Sequence, residues 1–270
     1  MYYIRSGNVK IAVYDLNAGG CETILLIHGW PLSYRMYEYQ EDFLVQNGYR
    51  VVSMDLRGFG RSDVPACGYS YDQMADDIYA LVCALHLDQF ILAGFSMGGA
   101  IVMRYMGRYR GYGVKKLCLF AAAGPSFVTR PDFPYGVSPA VPQGWADQAA
   151  ADRAALAAGL GSQFFAQPHS AGAKQWLGSI ALEASGLATI HTACALKNED
   201  CRPDLARICV PTGIFHGKKD QVVPFELAMV QNRAIAGSVL YPFAGSGHGI
   251  FYDELPLFND CLLRFLQGRC

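Results

Sequence analysis

The sequence lacks the features that mark several large protein classes. No apolar stretch approaches the roughly 18 residues that a membrane span requires. The opening "MYYIRSGNVKIAVYDL" has no basic head followed by a long apolar block, so it does not read as a signal peptide. Neither sign of charge forms a long run, and 22 Lys plus Arg stand against 23 Asp plus Glu. That balance leaves no basic footprint for nucleic acid or for an anionic membrane. The expected partner is a small, neutral or weakly charged molecule. No C-x-x-C pair occurs and the nine cysteines are an odd number, so no zinc site is expected. Cys83 and Cys118 lie in apolar stretches and read as small buried hydrophobes. Together these absences predict a reduced, cytoplasmic enzyme. They leave open whether it forms a homo-oligomer.

What is present is a globular composition, 52% hydrophobic and 17% charged over 270 residues, enough for a large core in one α/β domain or two smaller ones. Short apolar runs alternate with helical periodicity. Strands are predicted at 9–13, 23–29, 49–55, 90–95 and 115–123, and again at 210–217 and 238–241. Helices are predicted at 34–47, closed by Gly48, and after Ser70, where Ser70 and Gln73 resemble a capping box. Met74, Ile78, Leu81 and Leu85 mark one face of that second helix. Further helices are expected at 97–108, from about Pro224, and at 251–267. Alternation of this kind means a mostly parallel sheet flanked by helices. It breaks over 125–197, where Ala-rich helical stretches such as "ADQAAADRAALAAGL" replace strands. We read a core domain over 1–124 and 198–270, with a helical cap inserted at 125–197.

The stretch "AGFSMGGA" (93–100) follows the strand at 90–95 and opens a helix. A dinucleotide turn would need a glycine where Ser96 stands and an acidic residue about 20 positions on. A P-loop would need Gly-Lys-Ser/Thr, which is absent. Gly94-Phe95-Ser96-Met97-Gly98 instead matches G-x-S-x-G, a strained turn that lifts a serine hydroxyl to the helix N-terminus. Read blandly, the same residues are a structural glycine-rich turn.

A nucleophilic serine needs a base and an orienting acid. Of six histidines, His248 lies in the glycine-rich "AGSGHGIFYDE" after the last strand, free to reach the carboxyl edge of the sheet. His86 reads as a surface residue, His169 and His191 as structural parts of the cap, and His28 and His216 as loop ties. Asp220 in "HGKKDQVVP" follows the preceding strand, although alone it could be a turn aspartate. The order Ser96, Asp220, His248 is the one expected of α/β-hydrolases. Two backbone donors are expected at an oxyanion hole: Met97, after the nucleophile, and Trp30, in "HGWP" after an early strand. Pro31 has no N–H and restricts Trp30 toward an extended conformation.

"HGWP", "MDLRGFGRSD" (54–63), "GFSMGG", "HGKKDQVVPFE" (216–226) and "GSGHG" together resemble the α/β-hydrolases, and more narrowly the bacterial aryl esterases and cofactor-free haloperoxidases, or perhydrolases. The resemblance runs over nearly the whole chain. It implies the α/β-hydrolase fold, Ser96 as nucleophile, His248 as base, Asp220 as acid and an oxyanion hole at Trp30 and Met97, with no metal or organic cofactor. Candidate pocket residues are Phe127, Phe164, Phe165, Trp176, Leu196, Val222 and Phe225. The expected activity is hydrolysis of small aryl or alkyl carboxylic esters through an acyl-enzyme. Serine at position 96 argues against the aspartate-based dehalogenase and epoxide hydrolase chemistries of this fold. Perhydrolysis by the same residues is the first alternative. Lactone or amide hydrolysis, or a non-catalytic receptor on the same scaffold, are further ones.

Overall fold

The structure is a computed structural model and describes residues 1–269. Eight strands form one sheet in the order β1-β2-β4-β3-β5-β6-β7-β8. They are β1 (Tyr2–Ser6), β2 (Val9–Leu16), β3 (Thr23–Ile27), β4 (Arg50–Met54), β5 (Phe90–Phe95), β6 (Val114–Phe120), β7 (Thr212–Gly217) and β8 (Val239–Phe243). β2 runs antiparallel to both its neighbours, and β4 through β8 with β3 are parallel. β1 was not foreseen: "YYIRS" buries only Ile4 and Ser6 and carries too short an alternation to stand out.

The helices are α1 (Glu38–Gln46), α2 (Tyr71–Ala84), α3 (Met97–Arg108), α4 (Ala140–Phe164), α5 (Ala171–Leu182), α6 (Gly186–Asn198), α7 (Arg202–Leu205), α8 (Phe225–Ala234), α9 (Ile250–Asp253) and α10 (Leu255–Leu266). Side chains alternate across each strand, so the sheet feeds two cores. Leu25 and Ile27 join α2, α3 and α8 on one face, while Ile24 and Leu26 join α1 and α10 on the other. Each fully buried aliphatic or aromatic side chain in these layers contributes about 1.5–3 kcal/mol.

Several boundaries differ from the sequence expectation for local reasons. The segment expected as a helix from residue 34 starts as a 3-10 turn, Tyr34–Tyr37, and only then becomes α1. Gly48, at φ 84°, follows as expected. Ser70 Oγ accepts from the Gln73 amide at 3.2 Å, which is half of a capping box. β6 stops at Phe120 because Ala121 turns to φ 42°. The closing helix breaks at Glu254 (φ −129°, ψ 49°), just before Pro256, leaving α9 and α10. Cys118 is buried, but Cys83 is exposed, because it lies two positions past Leu81 and so on the opposite side of α2. The eight described cysteines are unpaired; Cys270 lies outside the described residues. Among the described residues no single helix is long and apolar enough to cross a membrane.

Between β6 and β7 the chain forms α4 to α7, with no strand longer than the isolated bridges Val128–Val137 and Arg130–Phe133. α4 bends at Asp152 (φ −153°, ψ 84°). Trp145, Ala146 and Leu156 pack with one core, whereas Ala157, Leu160 and Phe164 pack with the other. α4 therefore passes over the end of the sheet, from one layer to the other.

Candidate active site

The sheet reverses its direction of growth at β3: the chain steps outward to β4, then returns to place β5 on the other side of β3. In open α/β sheets the crevice beyond the carboxyl ends of such strands is where ligands bind. The loop after β3 carries His28, Gly29 and Trp30, and the turn after β5 carries Ser96.

Ser96 has φ 53° and ψ −118°, a conformation that side chains other than glycine rarely adopt. Its amide donates to Phe120 O at 2.9 Å, and its carbonyl accepts from Ala123 N at 2.9 Å and Ala100 N at 3.2 Å. β6 thus grips the turn from one side. The glycines around it are space-limited. A Cβ on Gly94 would meet Gly98 O at 2.5 Å, and one on Gly98 would meet His28 O and Ile27 O at 2.4 Å. A Cβ on Gly29 would lie 3.0 Å from Ser96 Cβ. The 28–30 loop and the serine turn are consequently packed against each other. Among the described residues neither the Trp30 nor the Met97 backbone N–H has an acceptor in the protein, as free anion donors require.

His248 and Ser96 line the same cavity. His248 Nδ1 lies 2.8 Å from Asp220 Oδ2, and its ring packs against Phe95 and Phe164 at centroid distances of 4.6 and 5.4 Å. The Asp220 carboxylate is fully buried. Its Oδ1 accepts from the amides of Val222 and Val223, each at 2.8 Å, and Oδ2 also lies 3.3 Å from His216 Nε2. Burial alone would raise this carboxyl, but His248 and His216, by charge and hydrogen bonding, hold it well below the usual carboxylate range. It stays ionised and acceptor-only, so the hydrogen in this contact sits on His248 Nδ1. Contact of His216 with Asp220 was not foreseen; the four-residue spacing across a turn was the available clue. His28 receives the Leu56 amide on Nε2 at 3.0 Å and donates from Nδ1 to Gly29 O at 2.9 Å, tying the β3 and β4 loops together.

The cavity has a volume of about 230 Å³. Phe127, Phe164, Leu196 and Val222 of the expected pocket set line it, together with Trp30. Phe165, Trp176 and Phe225 do not. Phe165 packs edge-on behind the Phe164 ring at 5.1 Å and covers His169 at 4.2 Å, and Trp176 packs edge-on to Tyr39 and Tyr252 around a second hollow. Phe225 stands edge-on to His216. Sequence adjacency identified loops near the site, but not which way consecutive side chains point.

Sequence reading named only the last residue of α4, Phe164, and missed the rest of the wall this helix forms. Trp145 stacks on Trp30 (5.1 Å, 16°) and on Phe127 (5.6 Å, 30°). Gln148, Leu156, Gly159, Leu160 and Gln163 continue the same wall. Positions 156, 159, 160 and 163 form one helical stripe, a signal present in the sequence but submerged in alanine. Trp30 itself is fixed by its indole N–H, which donates to Thr189 O at 3.0 Å. No group of three or more His, Cys, Asp or Glu side chains suited to a metal ion occurs among the described residues.

The chain matches the family described as alpha/beta hydrolase fold over residues 22–255, and it belongs to that family. It is 46% identical to the AB hydrolase superfamily protein YisY of Bacillus subtilis, over 98% of each chain. Among solved structures, an esterase from Exiguobacterium antarcticum superposes with a TM-score of 0.95 at 41% identity, over 98% of each chain. A bromoperoxidase from Bacillus anthracis superposes at 0.94 with 34% identity, over 98% of this chain and 99% of that one. The protein is thus an α/β hydrolase whose relatives include esterases and non-heme haloperoxidases.

Proposed function

We propose that the protein is a serine esterase acting on small carboxylic esters, aryl esters among them. The observation that carries this reading is the strained Ser96 turn opening into the cavity that His248 shares, with His248 held by the buried Asp220. His248 Nε2 takes the Ser96 proton as Oγ attacks the ester carbonyl. The tetrahedral oxyanion is stabilised by the Trp30 and Met97 amides and by the N-terminus of α3. Collapse expels the alcohol, protonated by His248, and leaves an acyl group on Ser96. Water, deprotonated by His248, then releases the acid. The near-parallel Trp30, Trp145 and Phe127 rings favour a flat apolar group in the cavity, and its volume favours a short acyl chain. No step needs a metal or an organic cofactor.

Perhydrolysis is the second reading, and likeness to the bromoperoxidase supports it. Hydrogen peroxide would replace water as acceptor of the acyl group and leave as a peracid. Hydrolysis of an aryl acetate by the wild type and Ser96→Ala, run side by side, tests the first reading. A loss of about a thousandfold or more in kcat/KM with Ser96→Ala is expected, and equal turnover by the two would overturn it. Adding peroxide separates the readings: peracid formation at the expense of acetate marks the second.

A further inference from the structure

Asp253, the last residue of α9, has a fully buried side chain that the chemistry above does not use. Its Oδ2 accepts from the amides of Gly247 and Ala166, both at 2.8 Å. Its Oδ1 accepts from the Gln167 amide at 3.2 Å and lies 2.8 Å from His169 Nε2. One carboxylate therefore binds two separate pieces of chain: the loop that carries His248, and the segment leaving α4. Among the described residues no Lys or Arg pairs with it, so its hydrogen bonds are spent on backbone and on one histidine. Glu254 beside it holds the start of the same loop, accepting from Gly245 N at 2.9 Å and Ser246 Oγ at 2.7 Å.

The two pieces meet directly at the site. Gly249 N donates to Phe164 O at 2.7 Å, and a Cβ on Gly249 would strike the Phe164 ring at 2.6 Å. A Cβ on Gly247 would come within 2.9 Å of Ala166 N. The glycines around His248 are thus the surface on which the end of α4 rests, and Phe164 in turn packs edge-on to the His248 ring.

We propose that Asp253 is a positioning residue that locks the His248 loop to the end of α4, so that the general base and one wall of the substrate cavity keep a single register. This rests on His248 being the base. Asparagine at 253 keeps the volume but turns one acceptor oxygen into an N–H donor. Turned toward Gly247 and Ala166 it would leave both amides unpaired, and turned toward His169 and Gln167 it would leave the Gln167 amide unpaired. The His248 ring then gains freedom relative to Ser96, which lowers kcat more than substrate binding.

The test compares wild type, Asp253→Asn and His248→Ala in aryl acetate hydrolysis, and follows the downfield proton NMR signal of the His248 Nδ1–H, assigned by its loss in His248→Ala. For Asp253→Asn we expect kcat to fall roughly ten- to a hundredfold, KM to stay within about threefold, and the downfield signal to shift or broaden. A folded Asp253→Asn enzyme, with kcat within about twofold and the signal unmoved, would overturn the proposal. Should that variant fail to fold, amide exchange in the wild type decides. Ala166 and Gly247 amides protected like those of the sheet support the lock, and exchange at loop rates overturns it. The NMR arm depends on no substrate, so an absence of ester turnover counts against the proposed function and not against Asp253. Full turnover by His248→Ala would overturn the base assignment.

Discussion

At Ser96 the backbone departs from what its side chain prefers, with a local cost of about 1–3 kcal/mol that the surrounding packing must offset. That packing has little tolerance. Gly98→Ala would push a methyl into the His28 and Ile27 carbonyls, both backbone and both 2.4 Å from the new atom. We expect it to lose at least about 2 kcal/mol in urea unfolding and most ester turnover, because the turn and the 28–30 loop can no longer touch. His28 gives a pH prediction. Burial, against a weaker opposing effect of the Gly29 carbonyl, lowers it to about 4 from 6.5. The folded state binds this proton more weakly than the unfolded chain does. Its stabilising effect is therefore complete above about pH 6.5 and lost as pH falls toward 4, about 3 kcal/mol in all. Urea midpoints at about pH 7.5 and about pH 5 should drop more for wild type than for His28→Gln, which is the weaker protein at the higher pH. Equal drops would contradict this account of His28. Ser96, Asp220 and His248, which the fold brings together, could be picked out as candidates because each occupies a motif with its own glycine or turn signature. Which of Phe164 and Phe165 faces the cavity was not, since only the path of the chain out of α4 decides it.

Among the elements, α4 governs the site most. Its bend at Asp152 lets one helix serve two cores, and Asp152 Oδ1 caps the second half by accepting from Ala155 N at 2.9 Å. Asp152→Ala should cost about 1 kcal/mol in thermal or urea unfolding and loosen the Leu156–Leu160 wall. The kinetic sign would be a higher KM for aryl acetate with kcat little changed. An unchanged KM would mean that the bend does not set the wall. The helical nature of this stretch was legible from its alanine content, but the bend was not: a mid-helix aspartate has no distinctive periodicity, and its cap acts only because tertiary packing turns the helix there. β1 escaped for a related reason, since an edge strand buries too few side chains to show a pattern.

For the molecule as a whole, sheet order explains why distant motifs converge. Parallel strands end on the same edge, so the loops after β3, β5, β7 and β8 bring Trp30, Ser96, Asp220 and His248 together from across the chain. Strand–helix alternation made that architecture legible in the sequence, whereas the cavity was legible only in part, through Phe127, Phe164, Leu196 and Val222, because most of α4 closes it from a segment that belongs to no strand motif. The central claim is that Ser96, activated by His248, carries the covalent intermediate. Its most direct test is to treat the wild type, Ser96→Ala and His248→Ala with a fluorophosphonate and map the modified residue by mass spectrometry. We predict a single adduct on Ser96 in the wild type, none in Ser96→Ala, and labelling slowed at least about a hundredfold in His248→Ala. An unlabelled wild type, or an adduct on another residue that persists in Ser96→Ala, would contradict the account.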